Sequence, residues 1–379
     1  MLAHFAHHLL AALLIPLSPF IRDDFSLDYT QVGWVISAFT LSYGISHLPA
    51  GWLADRLGPR TLITIGISGV ALSGFLVGLS PTYVIMVVFL VLLGVMGGGY
   101  HPAAAPLLTA FVEPKNQGRA LGLHQIGGGA SYFLAPLIAV AIATALGWRG
   151  SFITIAIPTF VFGIAFYMLL GRLGHTKKAE PGIPNSHTEA PPTPGRLRRL
   201  VVFLILSITG QSLIFSTISF IPLFIVDHFG ISEAAAAALL SLIFSAGLWA
   251  GPLGGYLSDR LGRVPVILAA SLIAGPTIYL LNLVPYGWSI FVILVTIGML
   301  FDIRMPVSEA YIISQTSERN RSTILGIYYF GSRGGPGLIT PILGYFIDRV
   351  GFYTSFTIVS ATLVAVTLGC SIFLWGSRD

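Results

Sequence analysis

Four charged side chains stand in stretches that otherwise offer only hydrocarbon. "GMLFDIRMPVSEAYII" (298–313) carries Asp302, Arg304 and Glu309, and "YYFGSRGGPGLITP" (328–341) carries Arg333. Asp302 and Glu309 are seven residues apart, which puts them on one face of a helix. Pro306 follows Asp302 by four residues and removes a backbone donor, so a kink is predicted there. A charge at bilayer depth costs about 2.5–3.5 kcal/mol on insertion scales and needs a partner. Two acids and two arginines sum to zero. They suit an interhelical ion-pair network, or a site in which Arg333 or Arg304 binds an anionic group while Asp302 or Glu309 exchanges protons. The residues leave both open.

The other half of the chain offers histidine instead. His101 precedes Pro102, and His124 sits beside Gln125. Histidine titrates near physiological pH, so two of them in a cavity are natural proton or anion ligands; each also suits a hydrogen-bonded packing role. His4, His7 and His8 lie in the first turns of the chain. His4 and His8 share a face, but three histidines in two exposed turns predict no metal site. The glycine runs in "VMGGGYHP" (95–102) and "IGGGASYF" (126–133) lack the Lys and the strand of a phosphate loop. They read as close helix packing, and neither a nucleotide nor any other cofactor is expected.

These residues must be positioned by an all-α membrane fold. The 379 residues are 55% hydrophobic and 9% charged, against about 25% charged in soluble domains. Twelve apolar stretches reach bilayer length, near 2–21, 31–54, 61–80, 82–111, 119–146, 149–171, 199–226, 233–257, 264–284, 288–315, 321–347 and 351–376. Backbone inside lipid must satisfy itself, and these runs do not alternate as barrel strands do, so they are helices. One cysteine, Cys370, excludes a disulfide framework, and no cleavable signal peptide is expected. With the N-terminus inside, fifteen of the twenty Lys and Arg fall on the inner side and three (Arg22, Arg149 and Arg349) on the outer. That asymmetry places both termini in the cytoplasm. It accounts for the net charge of +5 without a nucleic-acid partner.

"HTKKAEPGIPNSHTEAPPTPGRLRR" (175–199), with five prolines, reads as a cytoplasmic linker. It divides the chain into a six-helix bundle over 1–172, a linker over 173–198 and a second six-helix bundle over 199–379. The bundles are related. At an offset of 204, Gly51, Asp55, Arg56, Leu57 and Gly58 fall on Gly255, Asp259, Arg260, Leu261 and Gly262. Pro102 falls on Pro306, and Leu121, Gly122 and Gly127 fall on Leu325, Gly326 and Gly331. One offset across three helix pairs is the mark of parallel structural repeats, as in transporters with an axis along the membrane normal. The same offset pairs His124 and Gln125 with Tyr328 and Tyr329, predicted to face one cavity from two sides.

"GWLADRLGPRTLI" (51–63) and its echo "GYLSDRLGRVPVI" (255–267) resemble the signature loop of the major facilitator superfamily. The resemblance covers the chain and implies two pseudo-symmetric six-helix bundles around a central cavity, worked by alternating access. It implies that Asp55, Arg56, Asp259 and Arg260 form a cytoplasmic gate. "GGGYHPAAAPLL" (97–108), "GLHQIGGGASYFLAPLIA" (122–139) and "AHFAHHLL" (3–10) are similar to the fosmidomycin-resistance type of efflux protein. Where that type has an Asn-Asp pair in its first span, this chain has His7 and His8.

The expectation is therefore a monomeric secondary transporter of the inner membrane with no enzymatic activity. Proton-coupled export of a small drug-like or anionic compound by antiport leads. Uptake of a carboxylate or similar metabolite by symport is the alternative, and a non-transporting membrane sensor is the reading of another class. The substrate site is expected among Arg333, Arg304, His101, His124, Gln125, Tyr328 and Tyr329, with Asp302 and Glu309 as proton carriers.

Overall fold

A computed structural model describes residues 1–113, 116–172 and 195–374, without the side chains of Gly51, Asp55, Gly118, Glu318, Arg319 and Ser322. Among the described residues every regular element is helical. Seven helices are long and apolar enough to cross a bilayer, and the pair Glu233–Leu248 and Ala250–Leu261, bent by 42°, forms a further span. Two of the seven have double length. Gln117–Arg172 turns at Gly147 (φ 72°, ψ 169°). Beyond the turn, the Ser151 hydroxyl donates to the Ala139 carbonyl at 2.9 Å. Twelve residues of straight helix span about 18 Å, so the chain has reversed. Glu318–Leu374 breaks in the same way at Gly351 (φ 75°, ψ 171°). The first span runs from Leu2 to Phe25 with a break between Leu9 and Ser18, and the second is Tyr29–Leu57. These bring the described spans to the expected twelve.

The repeat is visible in the backbone. Gly58 and Gly262 end the second and eighth spans at φ 77° and 90°, both with ψ 150°. They lie 204 residues apart, as do Gly147 and Gly351. Positive φ costs glycine nothing and strains other residues, so these pairs mark matched reversals. The fourth span breaks between Tyr83–Gly97 and Tyr100–Ala110, the tenth between Trp288–Asp302 and Arg304–Gln315. The missing amides of Pro102 and Pro306 leave the carbonyls of residues 98 and 302 without their helical donors. The kink predicted at Pro306 therefore falls one turn earlier, at Ile303.

The halves meet at the end that the sorted charge assigns to the outside. The second span lies against the eleventh: a Cβ on Gly44 would stand 2.5 Å from the Gly334 Cα. The Ser37 hydroxyl donates to the Gly337 carbonyl. Asp227, at the end of the seventh span, accepts from Arg22 at 2.5 Å and from the Tyr29 hydroxyl. Asp348 accepts from the Tyr29 and Thr30 amides at 2.9 Å and from the Thr30 hydroxyl at 2.5 Å. It supplements the Asp28 capping box of the second span from the opposite half, where the helix dipole favours a carboxylate. A small apolar pocket lined by Phe39, Thr40, Tyr132, Phe215 and Phe244 lies between the halves below this closure. On the inner side, Tyr100–Ala110 and Arg304–Gln315 pack within their own halves. The contacts between the halves described above thus gather on the side of Asp227 and Asp348.

Candidate functional site

The tenth span carries three of the four mid-membrane charges, and its break aims them differently. Arg304, the first residue after the break, is 1% exposed. Its guanidinium donates to the Ser271 hydroxyl of the ninth span. It also donates to the Leu206 and Ser207 carbonyls of the seventh span, at 3.1 and 3.2 Å. Gly210 leaves the room it needs, since a Cβ there would stand 3.1 Å from Nη1 and closer to Nη2. The arginine ties three helices together inside the C-terminal bundle. Sequence reasoning placed it in the substrate site, but its two terminal nitrogens donate to backbone and serine, and its Nε is buried without a hydrogen-bond partner.

Asp302 stays partly exposed before the break, facing Gly247 at the bend of the eighth span. Glu309 is turned towards Tyr329 and, at longer range, Arg333. Its Oε1 is buried without a hydrogen-bond partner. No ion pair joins Asp302 or Glu309 to Arg304 or Arg333, so the expected network is absent among the described residues.

Arg333 is the arginine left at the centre. Its guanidinium donates to the Met305 thioether at 3.1 Å, and no described carboxylate lies within ion-pair distance. Around it stand Tyr43 of the second span, Tyr132 of the fifth, Tyr328 and Glu309. His8, His47 and His101 also feel its charge. One C-terminal arginine thus stands among residues of both halves.

The histidines form a second cluster, within the N-terminal bundle. His4, His7 and His8 are buried at 2%, 2% and 5% exposure, which corrects the expectation of exposed turns. His4 stacks on His124 (centroids 4.2 Å, 7°) and lies near-parallel to Tyr100 at 5.7 Å, with Tyr100 and His124 6.0 Å apart. His7 stacks on the other side of the cluster against Tyr100 at 4.2 Å and bonds the Gly66 carbonyl through Nδ1 at 2.8 Å. His101 stands edge-on to His4 and His7.

The matched pairs at 124–125 and 328–329 do not all line the cavity. Tyr328 is 2% exposed within the core of the C-terminal bundle. His124 stacks into the histidine cluster, while Gln125 is exposed and Tyr329 half-buried. Position 124 and its counterpart turn into their own bundles. Of the expected gate, Arg56 lies over Trp52 at 4.2 Å and Arg260 over Tyr256 at 4.6 Å. Asp259 is exposed. None of the three bonds across the halves, and the Asp55 side chain lies outside the described residues. The outer contacts of Asp227 and Asp348 escaped sequence reasoning because acids beside outer loops read as solvated charge.

Two overlapping matches to the Major Facilitator Superfamily model cover residues 1–248 and 212–379. The chain belongs to the major facilitator superfamily. It is a membrane transporter, not an enzyme. It is 23% identical over 374 residues to the uncharacterized MFS-type transporter YceJ of Bacillus subtilis (97% of this chain, 93% of the relative). It is 24% identical over 390 residues to the probable sulfoacetate transporter SauU of Cupriavidus necator (94% and 88%). The fold matches a bacterial homologue of the human lysosomal transporter Spinster, solved inward-facing and occupied, with a TM-score of 0.75 and 17% identity over 98% of this chain and 94% of that one.

Proposed function

We propose that this chain carries a small organic anion by alternating access, with Arg333 binding the anionic group and a proton travelling with it through Glu309 or Asp302. The observation that carries the reading is the state of Arg333: a central guanidinium, among residues of both halves, with no carboxylate in ion-pair reach. An uncompensated charge at that depth is costly. An anion from the cavity offsets that cost and is held by charge-assisted hydrogen bonds. A bound anion then repels the charged form of Glu309 beside it, so anion and proton load from the same side. That is symport, and it reverses the antiport expectation. The likeness to a probable sulfoacetate carrier supports an anionic substrate.

The second reading is export by antiport of a neutral or cationic compound. The fosmidomycin-type motifs at 97–108 and 122–139 favour it. In both, the sorted charge supports an inner-membrane protein with its termini in the cytoplasm, and the chain is taken to work as a monomer.

Counterflow in proteoliposomes against a panel of carboxylates, sulfonates, neutral drugs and cations tests the choice, with internal pH followed by a trapped dye. The anion reading expects counterflow of an anion, acidification with entry, and loss of both in Arg333→Gln. Glu309→Gln or Asp302→Asn should keep counterflow and lose the pH change. Uptake of cations alone, with Arg333→Gln unaffected, overturns it.

A further inference from the structure

We infer that His4, His8 and His101 form a three-histidine site for a divalent transition-metal ion of the zinc class, with its fourth coordination position open to the central cavity. The site is independent of the anion reading.

The three rings come from two spans and stand around one point, with centroids 4.8, 5.2 and 5.2 Å apart. One ligand atom from each lies within 4.8 Å of the others. A tetrahedral ion about 2.0–2.1 Å from each nitrogen needs them about 3.4 Å apart, so the rings must turn inward by about an ångström. His4 is already prepared. Its Nδ1 bonds the His124 carbonyl at 2.8 Å, which fixes the proton there and leaves Nε2 as a bare lone pair. That Nε2 is buried with no hydrogen-bond partner, on a residue 2% exposed. His124 stacks on one face of its ring at 4.2 Å, and Gly128, which has no Cβ, leaves the room beside Nε2 and Cε1 that a larger residue would fill. A ligand histidine held through its other nitrogen by a backbone carbonyl is the usual support of a metal site. The Nε2 of His101 is also buried without a partner. His8 reaches the Tyr132 hydroxyl only at 3.5 Å.

Three neutral imidazoles without a thiolate suit zinc, cobalt, nickel or copper more than magnesium or calcium. His101 remains partly exposed and gives the ion its way in. The Arg333 charge reaches His8 and His101. Its charge disfavours a bare dication and favours one carrying chloride, hydroxide or a carboxylate in the open position.

The test uses the tag-free full chain in lipid nanodiscs, titrated with Zn2+ by calorimetry and with Co2+ by visible absorption. One ion per chain is expected, with the intense absorption of tetrahedral cobalt. His8→Gln and His101→Gln should weaken binding by more than the roughly 10- to 100-fold that loss of an outer-shell partner costs. His228→Gln, at the outer end of the seventh span, should bind as wild type. Absence of saturable one-to-one binding, an octahedral cobalt spectrum, or unchanged affinity in both variants overturns the site. The wild-type cobalt spectrum decides the coordination even where a variant fails to fold.

Discussion

The two halves share a backbone and differ in what fills it. After the matched breaks, Tyr100 stands in the fourth span and Arg304 in the tenth, 204 residues apart and each 1% exposed. Tyr100 packs by stacking against His4 and His7. Arg304 packs by hydrogen bonds to Ser271 and two seventh-span carbonyls. Gly129 in the fifth span corresponds to Arg333 in the eleventh. The N-terminal half thus keeps neutral rings at the centre, and the C-terminal half supplies the fixed charge. A duplicated bundle can keep its reversals and divide its chemistry, because backbone breaks depend on glycine and proline while side chains at those breaks are free to diverge.

The same substitution at two arginines tests this division most strongly. Arg304→Met should cost about 3 kcal/mol or more, since two carbonyls and a hydroxyl lose their donors inside the bundle. Thermal unfolding in detergent reads it as a large fall in melting temperature. Arg333→Met should leave that temperature unchanged or raised, because a partly buried charge without an ion-pair partner is removed. Anion binding should fall roughly 10- to 100-fold there, the equivalent of about 1.5–3 kcal/mol for hydrogen bonds to a charged group. If both arginines behave alike, the assignment of one to packing and the other to the substrate fails.

A smaller effect is expected at the outer closure. Asp348→Ala leaves the Asp28 capping box in place but removes the acceptor that the opposite half offers to the Tyr29 and Thr30 amides, and should shift the molecule towards its outward-open form by about 1–2 kcal/mol. Alkylation of a cysteine placed at Ser37 would follow that shift as a faster rate. An unchanged rate would mean that the Asp227 contacts and the close packing of Gly44 on Gly334 hold the outer face without Asp348. The smallest effect belongs to Tyr100→Phe. Tyr100 makes no side-chain hydrogen bond among the described residues, so the ring should suffice and stability should move by less than about 0.5 kcal/mol. A loss as large as that of Arg304→Met would show that the matched positions share a polar role.

Much of the fold was legible before any coordinates. Span lengths follow from bilayer thickness, and the repeat follows from one offset read across Gly58, Pro102 and their echoes. Arg333 was visible as a charge in a glycine-rich span. The distinction between Arg333 and Arg304 was not, since both read as charges in apolar helices. What separates them is the identity of the neighbours: Gly210, Ser271 and two carbonyls surround one, and a cavity opens beside the other. The histidine cluster was half legible. The spacing of His4 and His8 shows a shared face, but His101 lies 93 residues further on.

Sequence alone determined the elements of this protein: twelve apolar helices, two related bundles, the glycines that reverse the chain and the sorting of charge between faces. Each is a local or additive property, set by how a segment meets lipid or by which φ a residue can adopt. Tertiary structure decided at which face the halves meet, which arginine is consumed by packing, and which histidines meet. Those depend on distances between spans far apart in the chain, and helical periodicity specifies a residue's direction without specifying what stands opposite.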